Sequence, residues 1–189
     1  MIPAQVPLAA APVLVGVDVL EVDRVRRALD RDGTVYTRHV LAAGEHPLDP
    51  DPVLAVAAGV AVKESLVKAV GGRPAGFSWH DFAAAGPVAL SGDAGVLPPD
   101  ADALLSGAGA LSDGAARALA AGLGVELGPP LAYAVRGASA AAARSRLTAG
   151  SDAVAGAARW GLRDSALVAV AVLVPAPTPL ALAAEGPTS

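Results

Sequence analysis

Residues 52–70, with the sequence PVLAVAAGVAVKESLVKAV, decide the architecture that the chain predicts. Asp51 in front of them can accept hydrogen bonds from the first-turn N–H groups, and Pro52 already has the φ of a first helical position. Gly71 and Gly72 favour the left-handed conformation that ends many helices. The stretch therefore predicts a helix over Pro52–Val70 whose first half is buried on all sides, because its residues there are nearly all apolar.

Short apolar runs elsewhere in the chain predict strands for this helix to pack on. Val13–Val19 is rich in β-branched residues and is typical of a central strand, and Leu167–Val174 predicts a last strand that Pro175 ends. Gly76–Phe82 and Gly86–Leu90 together predict a hairpin. The expected fold class is α+β, an antiparallel sheet of three or more strands packed on the long helix.

The remaining pattern predicts shorter helices and one domain. Val22–Asp30 has helical spacing up to a stop at Gly33, and Thr37–Glu45 is a short irregular or helical piece. We expect a single domain over residues 1–175, with 93–159 as an Ala/Gly-rich insertion and 176–189 as a flexible tail. Two helices are expected in the insertion, at about 113–121 and 139–147.

Composition excludes several classes of protein. The 189 residues include no Cys and have a net charge of -4, which excludes a disulfide framework, a Cys nucleophile and the broad basic face of a nucleic-acid binder. The apolar stretch 7–17 is interrupted by Pro7 and Pro12, so we expect neither a membrane span nor a signal peptide. Only 17% of the residues are charged, against about 25% in an average domain. A cytoplasmic, self-associating protein is expected.

Two acidic residues interrupt apolar elements and are therefore candidates for chemistry. Asp18 lies inside an apolar strand, where an unpaired charge would cost several kcal/mol. Glu64 emerges from the apolar helix beside Lys63 and one turn before Lys68. Two carboxylates with nearby ammonium groups suit a Mg²⁺–diphosphate site, because Mg²⁺ usually takes one or two protein carboxylates together with phosphate and water oxygens. The alternative is structural, since Glu64 and Lys68 form an ordinary i,i+4 pair and Asp18 could cap a helix.

Two segments of the chain, residues 16–25 (GVDVLEVDRV) and residues 60–69 (VAVKESLVKA), resemble motifs of the holo-acyl-carrier-protein synthase type of 4'-phosphopantetheinyl transferases. The first resembles the opening Gly-x-Asp-x-x-Glu-x-x-Arg-Ile of that family, and the second resembles its Phe-Ala-x-Lys-Glu-Ala-x-x-Lys-Ala helix. Residues 38–45, RHVLAAGE, and 78–82, SWHDF, are similar to two further segments of the family, in the same order. The ordered set is more specific than any one motif.

The resemblance implies a phosphopantetheinyl-transferase-like fold and a Mg²⁺-dependent enzyme. Such an enzyme transfers the 4'-phosphopantetheine arm of coenzyme A to a serine of an acyl or peptidyl carrier protein. By resemblance, Asp18 and Glu64 hold Mg²⁺, and Glu64 or a water that it orients takes the serine proton. Lys63 and Lys68 face coenzyme A phosphates, with Lys68 among the catalytic residues. Arg24 and Arg27 meet the acidic carrier, and the small members of the family are homotrimers.

The chain departs from the family near its last strand. The family has a Ser-x-Ser-His motif there, whereas residues 160–164 read WGLRD. Arg163 is a candidate to replace the lost phosphate donor. Two alternatives to transfer follow from this change: a catalytically degenerate relative that binds a carrier protein, and a different enzyme activity on a carrier-bound acyl chain in polyketide biosynthesis.

Overall fold

The computed structural model describes residues 12–42, 45, 47–87, 113–114, 116–122, 124–147 and 153–176. The elements in chain order are β1 (Leu14–Glu21), α1 (Val22–Val40), α2 (Pro52–Val70), a 3-10 turn (Trp79–Asp81), β2 (Phe82–Pro87), β3 (Leu131–Val135), α3 (Gly137–Leu147), β4 (Ala153–Arg163) and β5 (Ala166–Ala176). Residues 113–114 and 116–122 are also helical.

The five strands form one antiparallel sheet in the order β1-β5-β4-β3-β2, with α2 packed on it. This confirms the α+β class. The prediction of a central strand over Val13–Val19 is wrong in its position, because β1 is an edge strand among the strands described. Every second residue of β1 is buried, while Val15, Val17 and Val19 are exposed. The sequence predicted a strand buried on both faces because the exposed positions of β1 are valines, which are as apolar as its buried residues.

Helix α2 has the predicted bounds and the predicted ends. Asp51 accepts hydrogen bonds from the backbone N–H groups of Val53 and Leu54, and Gly71 is left-handed with φ 94°. Gly16 in β1 allows α2 to lie directly on the sheet, since a Cβ at this position would come within 1.9 Å of the Ser65 carbonyl oxygen. The residues of α2 from Ala55 to Lys63 are all buried, as the apolar sequence predicts.

The other local predictions need correction in three places. Gly33, with φ 51° and ψ -128°, interrupts the helix as predicted, but helical residues resume beyond it and reach Val40, so the two stretches form one kinked helix α1. Strand β5 continues through Pro175, where the sequence predicted its end, to Ala176. The hairpin prediction over 76–90 is wrong for the described part of that range, because Ser78 and Asp81 form a capping box around the 3-10 turn. Strand β2 pairs instead with β3. Side-chain hydrogen bonds to nearby backbone N–H groups thus favour a turn where the aromatic spacing indicated a strand.

Residues 93–159 contribute more to the sheet than their low complexity indicates. Strand β3, helix α3 and part of β4 lie within this range. The expected helix at 139–147 is present as α3, and the expected helix near 113–121 corresponds to the helical residues noted above. The division into one domain of residues 1–175 with a tail stays a prediction, and residues 177–189 lie outside the described ranges. No helix in those ranges has both the length and the apolar content that crossing a membrane needs.

Candidate active site

A cleft of about 280 Å³ lies where β1, α1 and α2 meet the segment that follows α2. The strand contributes one acid and the long helix another, so the cleft brings together the two carboxylates that stood out in the sequence. Its polar lining includes Asp18, Arg24, Tyr36, His39, Glu64 and Arg73.

Asp18 lies on the side of β1 that faces α2. The alternation of a β-strand places it on the same face as Gly16 and Leu20, and the residue is only 9% exposed. Its Oδ1 accepts a hydrogen bond from Lys68 Nζ at 2.8 Å. The burial of the carboxylate is therefore compensated by a cation from the helix that packs on it.

Glu64 has a cationic partner of its own. Its Oε1 accepts a hydrogen bond from the Arg73 guanidinium at 3.0 Å. The same guanidinium lies 4.7 Å from the ring centroid of Trp79 and 5.5 Å from that of Phe77. The two rings contact each other edge to face, with their centroids 5.3 Å apart. Arg73 is thus held by an ion pair and by two aromatic faces.

Lys63 contacts other residues of the protein through its ammonium group. Its side chain is buried, and Nζ donates to the carbonyl oxygens of Val40 and Trp79, at 2.9 and 3.4 Å, and to Glu45 Oε2 at 2.8 Å. Burial lowers the pKa of the Lys63 ammonium, and Glu45 opposes that shift. All three N–H donors are used inside the protein. Lys63 therefore joins α1, α2 and the 3-10 turn and does not line the cleft, and the contact with coenzyme A phosphates that the resemblance implied stays a prediction.

The predicted arginines are at the surface. Arg24 and Arg27 are exposed on α1, and Arg24 lines the cleft. Arg163 is exposed at the end of β4 and is not part of the cleft lining. The structure therefore groups Arg24 with Asp18 and Glu64, and leaves Arg163 beside the β4–β5 turn.

Three cleft residues were missed by the sequence prediction: Tyr36, His39 and Arg73. Partial burial raises the pKa of the Tyr36 hydroxyl, the charge of Arg24 lowers it and that of Glu64 raises it. Arg73 carried a usable signal, because it is a charged residue two positions after the helix-ending Gly71. His39 also had a signal, because it lies in the motif-like segment RHVLAAGE, whereas Tyr36 had none, since only the continuation of α1 past Gly33 brings it to the cleft.

The donor set fits a hard divalent cation bound together with a substrate. The described residues contain no group of three or more His, Cys, Asp or Glu suited to a metal. Two carboxylates in one cleft nevertheless match Mg²⁺, which fills the rest of its octahedron with water and phosphate oxygens. The residues that would hold it are Asp18 and Glu64.

Fold and cleft together define an α+β protein with a paired-carboxylate site, and comparison with known proteins gives its family. A holo-[acyl-carrier-protein] synthase from Pelodictyon phaeoclathratiforme is 32% identical over 93 residues, which are 44% of this chain and 78% of that protein. The chain belongs to the holo-[acyl-carrier-protein] synthase family.

Other relatives with the same name match shorter stretches. The synthase from Chlorobaculum tepidum is 37% identical over 72 residues, 36% of this chain and 62% of that protein. The synthase from Maridesulfovibrio salexigens is 41% identical over 68 residues, 34% of this chain and 55% of that protein. The chain thus spans less than two thirds of these two curated relatives.

The crystal structure of holo-[acyl-carrier-protein] synthase from Neisseria meningitidis aligns with a TM-score of 0.43 and 18% identity, over 85% of this chain and 96% of that one. No family model matches the chain.

Proposed function

We propose that this protein transfers the 4'-phosphopantetheine group of coenzyme A to a serine of an acyl or peptidyl carrier protein. Membership of the holo-[acyl-carrier-protein] synthase family supports the reaction class. The observation that carries the proposal is that Asp18 and Glu64, from β1 and α2, line one cleft. Each carboxylate forms an ion pair with a cation, Lys68 or Arg73, and that cation could bind a phosphate instead.

In the proposed reaction the serine oxygen forms a new bond to the phosphorus that bears the pantetheine arm. The bond from that phosphorus to the bridging oxygen breaks, and its electron pair leaves with adenosine 3',5'-bisphosphate. The Glu64 carboxylate, directly or through a water that it orients, accepts the serine proton. Lys68 neutralises charge on the phosphates.

Asp18 and Glu64 would also hold Mg²⁺, which polarises the diphosphate and offsets charge in the transition state.

The carrier protein is proposed to dock on α1. Exposed Arg24 and Arg27 lie on this helix, and Arg24 reaches the cleft. A cationic helix at the mouth of a site favours an acidic partner and steers it by charge. The docked serine would then lie close to Glu64.

Self-association in a homotrimer is the proposed quaternary state, and a cytoplasmic location stays a prediction. The outer side of β1 exposes Val15 and Val19 at 55% and 60%, and Leu162 of β4 is 45% exposed. Exposed apolar side chains of this size are commonly covered by another subunit. The support is thus the row of exposed valines on the outer side of β1 alone, because Leu162 is in register with Leu167 and Leu20 and lies on the other face of the sheet.

One observation favours a second candidate, a relative that binds a carrier without transferring the arm or acts on a carrier-bound acyl chain. Residues 160–164 lack the serines and histidine of the family motif. Arg163, the candidate replacement, is not among the cleft-lining residues. Weaker binding of the nucleotide end of coenzyme A would reduce transfer but would leave carrier binding intact.

Intact-protein mass spectrometry distinguishes these candidates. An apo carrier protein incubated with coenzyme A, Mg²⁺ and the wild-type protein should gain the mass of one phosphopantetheine. Glu64→Gln should abolish that gain while leaving the circular dichroism spectrum unchanged. Glu126→Gln is the matched control, because Glu126 is exposed and does not line the cleft. Absence of the mass gain with several carriers would favour the second candidate, and full conversion by Glu64→Gln would exclude the role given to Glu64.

A further inference from the structure

Each of the two acids of the cleft forms an ion pair, and Arg24 is a further cation in the cleft lining. Asp18 is paired with Lys68 and Glu64 with Arg73. In both pairs the acid is the more buried partner: the side chains of Asp18 and Glu64 are 12% and 29% exposed, and those of Lys68 and Arg73 are 53% and 54% exposed. The two acids and Arg73 line the cleft, whereas Lys68 binds Asp18 from outside the cleft lining.

Arg73 is the better oriented of the two cations. Its guanidinium contacts the ring of Trp79 and the ring of Phe77, and these rings brace each other edge to face. The hydrogen bond to Glu64 involves one guanidinium nitrogen. A planar guanidinium has five N–H donors in a fork that matches phosphate oxygens. The two ring contacts restrict the guanidinium before a ligand arrives, which reduces the entropy lost on binding.

The geometry points to Arg73 as a phosphate-binding residue of this cleft, released from Glu64 when a divalent cation takes its place on that carboxylate. The exchange keeps the charges of the two ion pairs balanced, and Arg24 adds one further positive charge to the cleft. A divalent cation replaces two ammonium or guanidinium charges on the two carboxylates, and the displaced Lys68 and Arg73 then face the two negative charges of a diphosphate diester. The inference deepens the proposed function, on which it rests, and assigns Arg73 to the diphosphate.

Isothermal titration with inorganic pyrophosphate tests this assignment without any transfer reaction. In Mg²⁺, Arg73→Gln should bind pyrophosphate at least about tenfold more weakly than the wild type, as expected for the loss of a charge-assisted hydrogen bond. Arg31→Gln is the matched control, since Arg31 is an exposed arginine paired with Asp32 and lies outside the cleft lining. The pyrophosphate affinity of Arg31→Gln should stay within about twofold of the wild-type affinity, because this variant loses no charge-assisted hydrogen bond to the ligand.

The exchange of partners predicts a second result, obtained without Mg²⁺. Glu64→Gln removes the carboxylate that holds Arg73, so metal-free pyrophosphate should bind this variant more tightly than the wild type. Adding Arg73→Gln to Glu64→Gln should remove the gain. Persistence of the gain in the double variant would show that it comes from the lost negative charge alone, and would overturn the assignment.

Two further outcomes separate this inference from the proposed function. Wild-type transfer together with unchanged pyrophosphate binding by Arg73→Gln would overturn the inference and leave the function in place. Arg73-dependent pyrophosphate binding without transfer to any carrier would support the inference and count against the function. No pyrophosphate binding by the wild type, with or without Mg²⁺, would overturn the inference. Circular dichroism and the thermal midpoint of each variant establish that it is folded.

Discussion

Lys68 Nζ lies 2.8 Å from Asp18 Oδ1, although the two residues are 50 positions apart in sequence. The contact joins the middle of β1 to the last turns of α2. It is possible because β1 and α2 pack without an intervening side chain at Gly16. The position of the cleft therefore depends on a close approach of backbone to backbone.

Gly16→Ala should destabilise the fold through this approach. The added Cβ would lie 1.9 Å from the Ser65 carbonyl oxygen and 2.6 Å from the Ala69 nitrogen, and both are backbone atoms that can move only with the helix. Overpacking of this kind costs about 1–3 kcal/mol or more, which lowers the thermal midpoint by roughly 2–4 °C per kcal/mol in a chain of this size. Differential scanning calorimetry measures the change.

Gly114→Ala is the matched control for that experiment. Gly114 is helical, and a Cβ at this position has no atom within 4 Å. Replacing a helical glycine by alanine favours folding by roughly 0.5–1 kcal/mol. Equal thermal midpoints for the two variants would show that β1 and α2 are not in the close contact described.

Lys63→Met should be far more damaging than Lys68→Met on the same helix. Lys63 and Glu45 are 1% and 6% exposed at their side chains, and Glu45 also accepts hydrogen bonds from the Ala42 and Ala84 backbone N–H groups. Removing one partner of a buried pair costs about 3–5 kcal/mol because the other charge stays buried. The Lys68–Asp18 pair is less completely buried, with side chains 53% and 12% exposed, so Lys68→Met should cost less than Lys63→Met.

Urea denaturation compares these two variants and adds a double-mutant cycle. Lys63→Met with Glu45→Met should cost less than the sum of the single changes, with a coupling of about 0.5–3 kcal/mol. Additive effects, or equal losses for Lys63→Met and Lys68→Met, would argue against a buried Lys63–Glu45 pair.

Charge reversal on α1 should weaken carrier recognition. Arg24→Glu and Arg27→Glu each place a negative charge where the proposed acidic partner docks. We expect the KM for the carrier to rise at least about tenfold in steady-state transfer assays, because like charges across an interface cost several kcal/mol. For Arg27→Glu the KM for coenzyme A should change much less, whereas Arg24→Glu should raise it as well, because Arg24 lines the cleft proposed for the diphosphate. Arg31→Glu, farther along the same helix, should leave the KM for the carrier at the wild-type value. Equal increases in this KM at all three positions would show that only the net charge of the protein matters.

Tyr133 should resist ionisation until the protein unfolds. Burial and the charge of Glu45 raise the pKa of its hydroxyl above the ordinary value of 10.0. Since the folded pKa lies above the unfolded one, the neutral hydroxyl contributes stability below about pH 10 that is lost as the pH rises further. Tyr36→Phe leaves Tyr133 as the remaining tyrosine of the two in the chain. As the pH is raised, absorbance at 295 nm should then change only when circular dichroism shows unfolding. Ionisation of Tyr133 near pH 10 in the folded protein would contradict the burial of its hydroxyl.

The sequence predicted most accurately what local chemistry determines. Asp51, Pro52 and Gly71 gave both ends of α2, because caps act on the nearest backbone groups. The place of β1 at an edge could not be predicted, since it depends on which strands pair and not on the run of valines. Strand β3 could not be predicted either, because its sequence is rich in alanine and its place in the sheet also depends on which strands pair.

The candidate site was predictable in part. Asp18 and Glu64 were identified as acids in apolar surroundings, and the structure brings them to one cleft, although their catalytic roles stay predictions. The burial of Lys63 could not be inferred from its neighbours, because its partner Glu45 and the Val40 and Trp79 carbonyl groups come from three other segments. Tertiary contacts decide whether a lysine beside a candidate catalytic acid contacts a ligand or other residues of the protein.

The central claim is that Asp18 and Glu64 bind one divalent cation together with coenzyme A. Mn²⁺ prefers the same oxygen ligands as Mg²⁺ and has a spectroscopic signal, so electron paramagnetic resonance can follow its binding in the presence of coenzyme A. We expect one Mn²⁺ per chain in the wild type, with affinity reduced at least about tenfold by either Asp18→Asn or Glu64→Gln, since each removes a charged ligand. Wild-type Mn²⁺ binding by both variants would contradict the account.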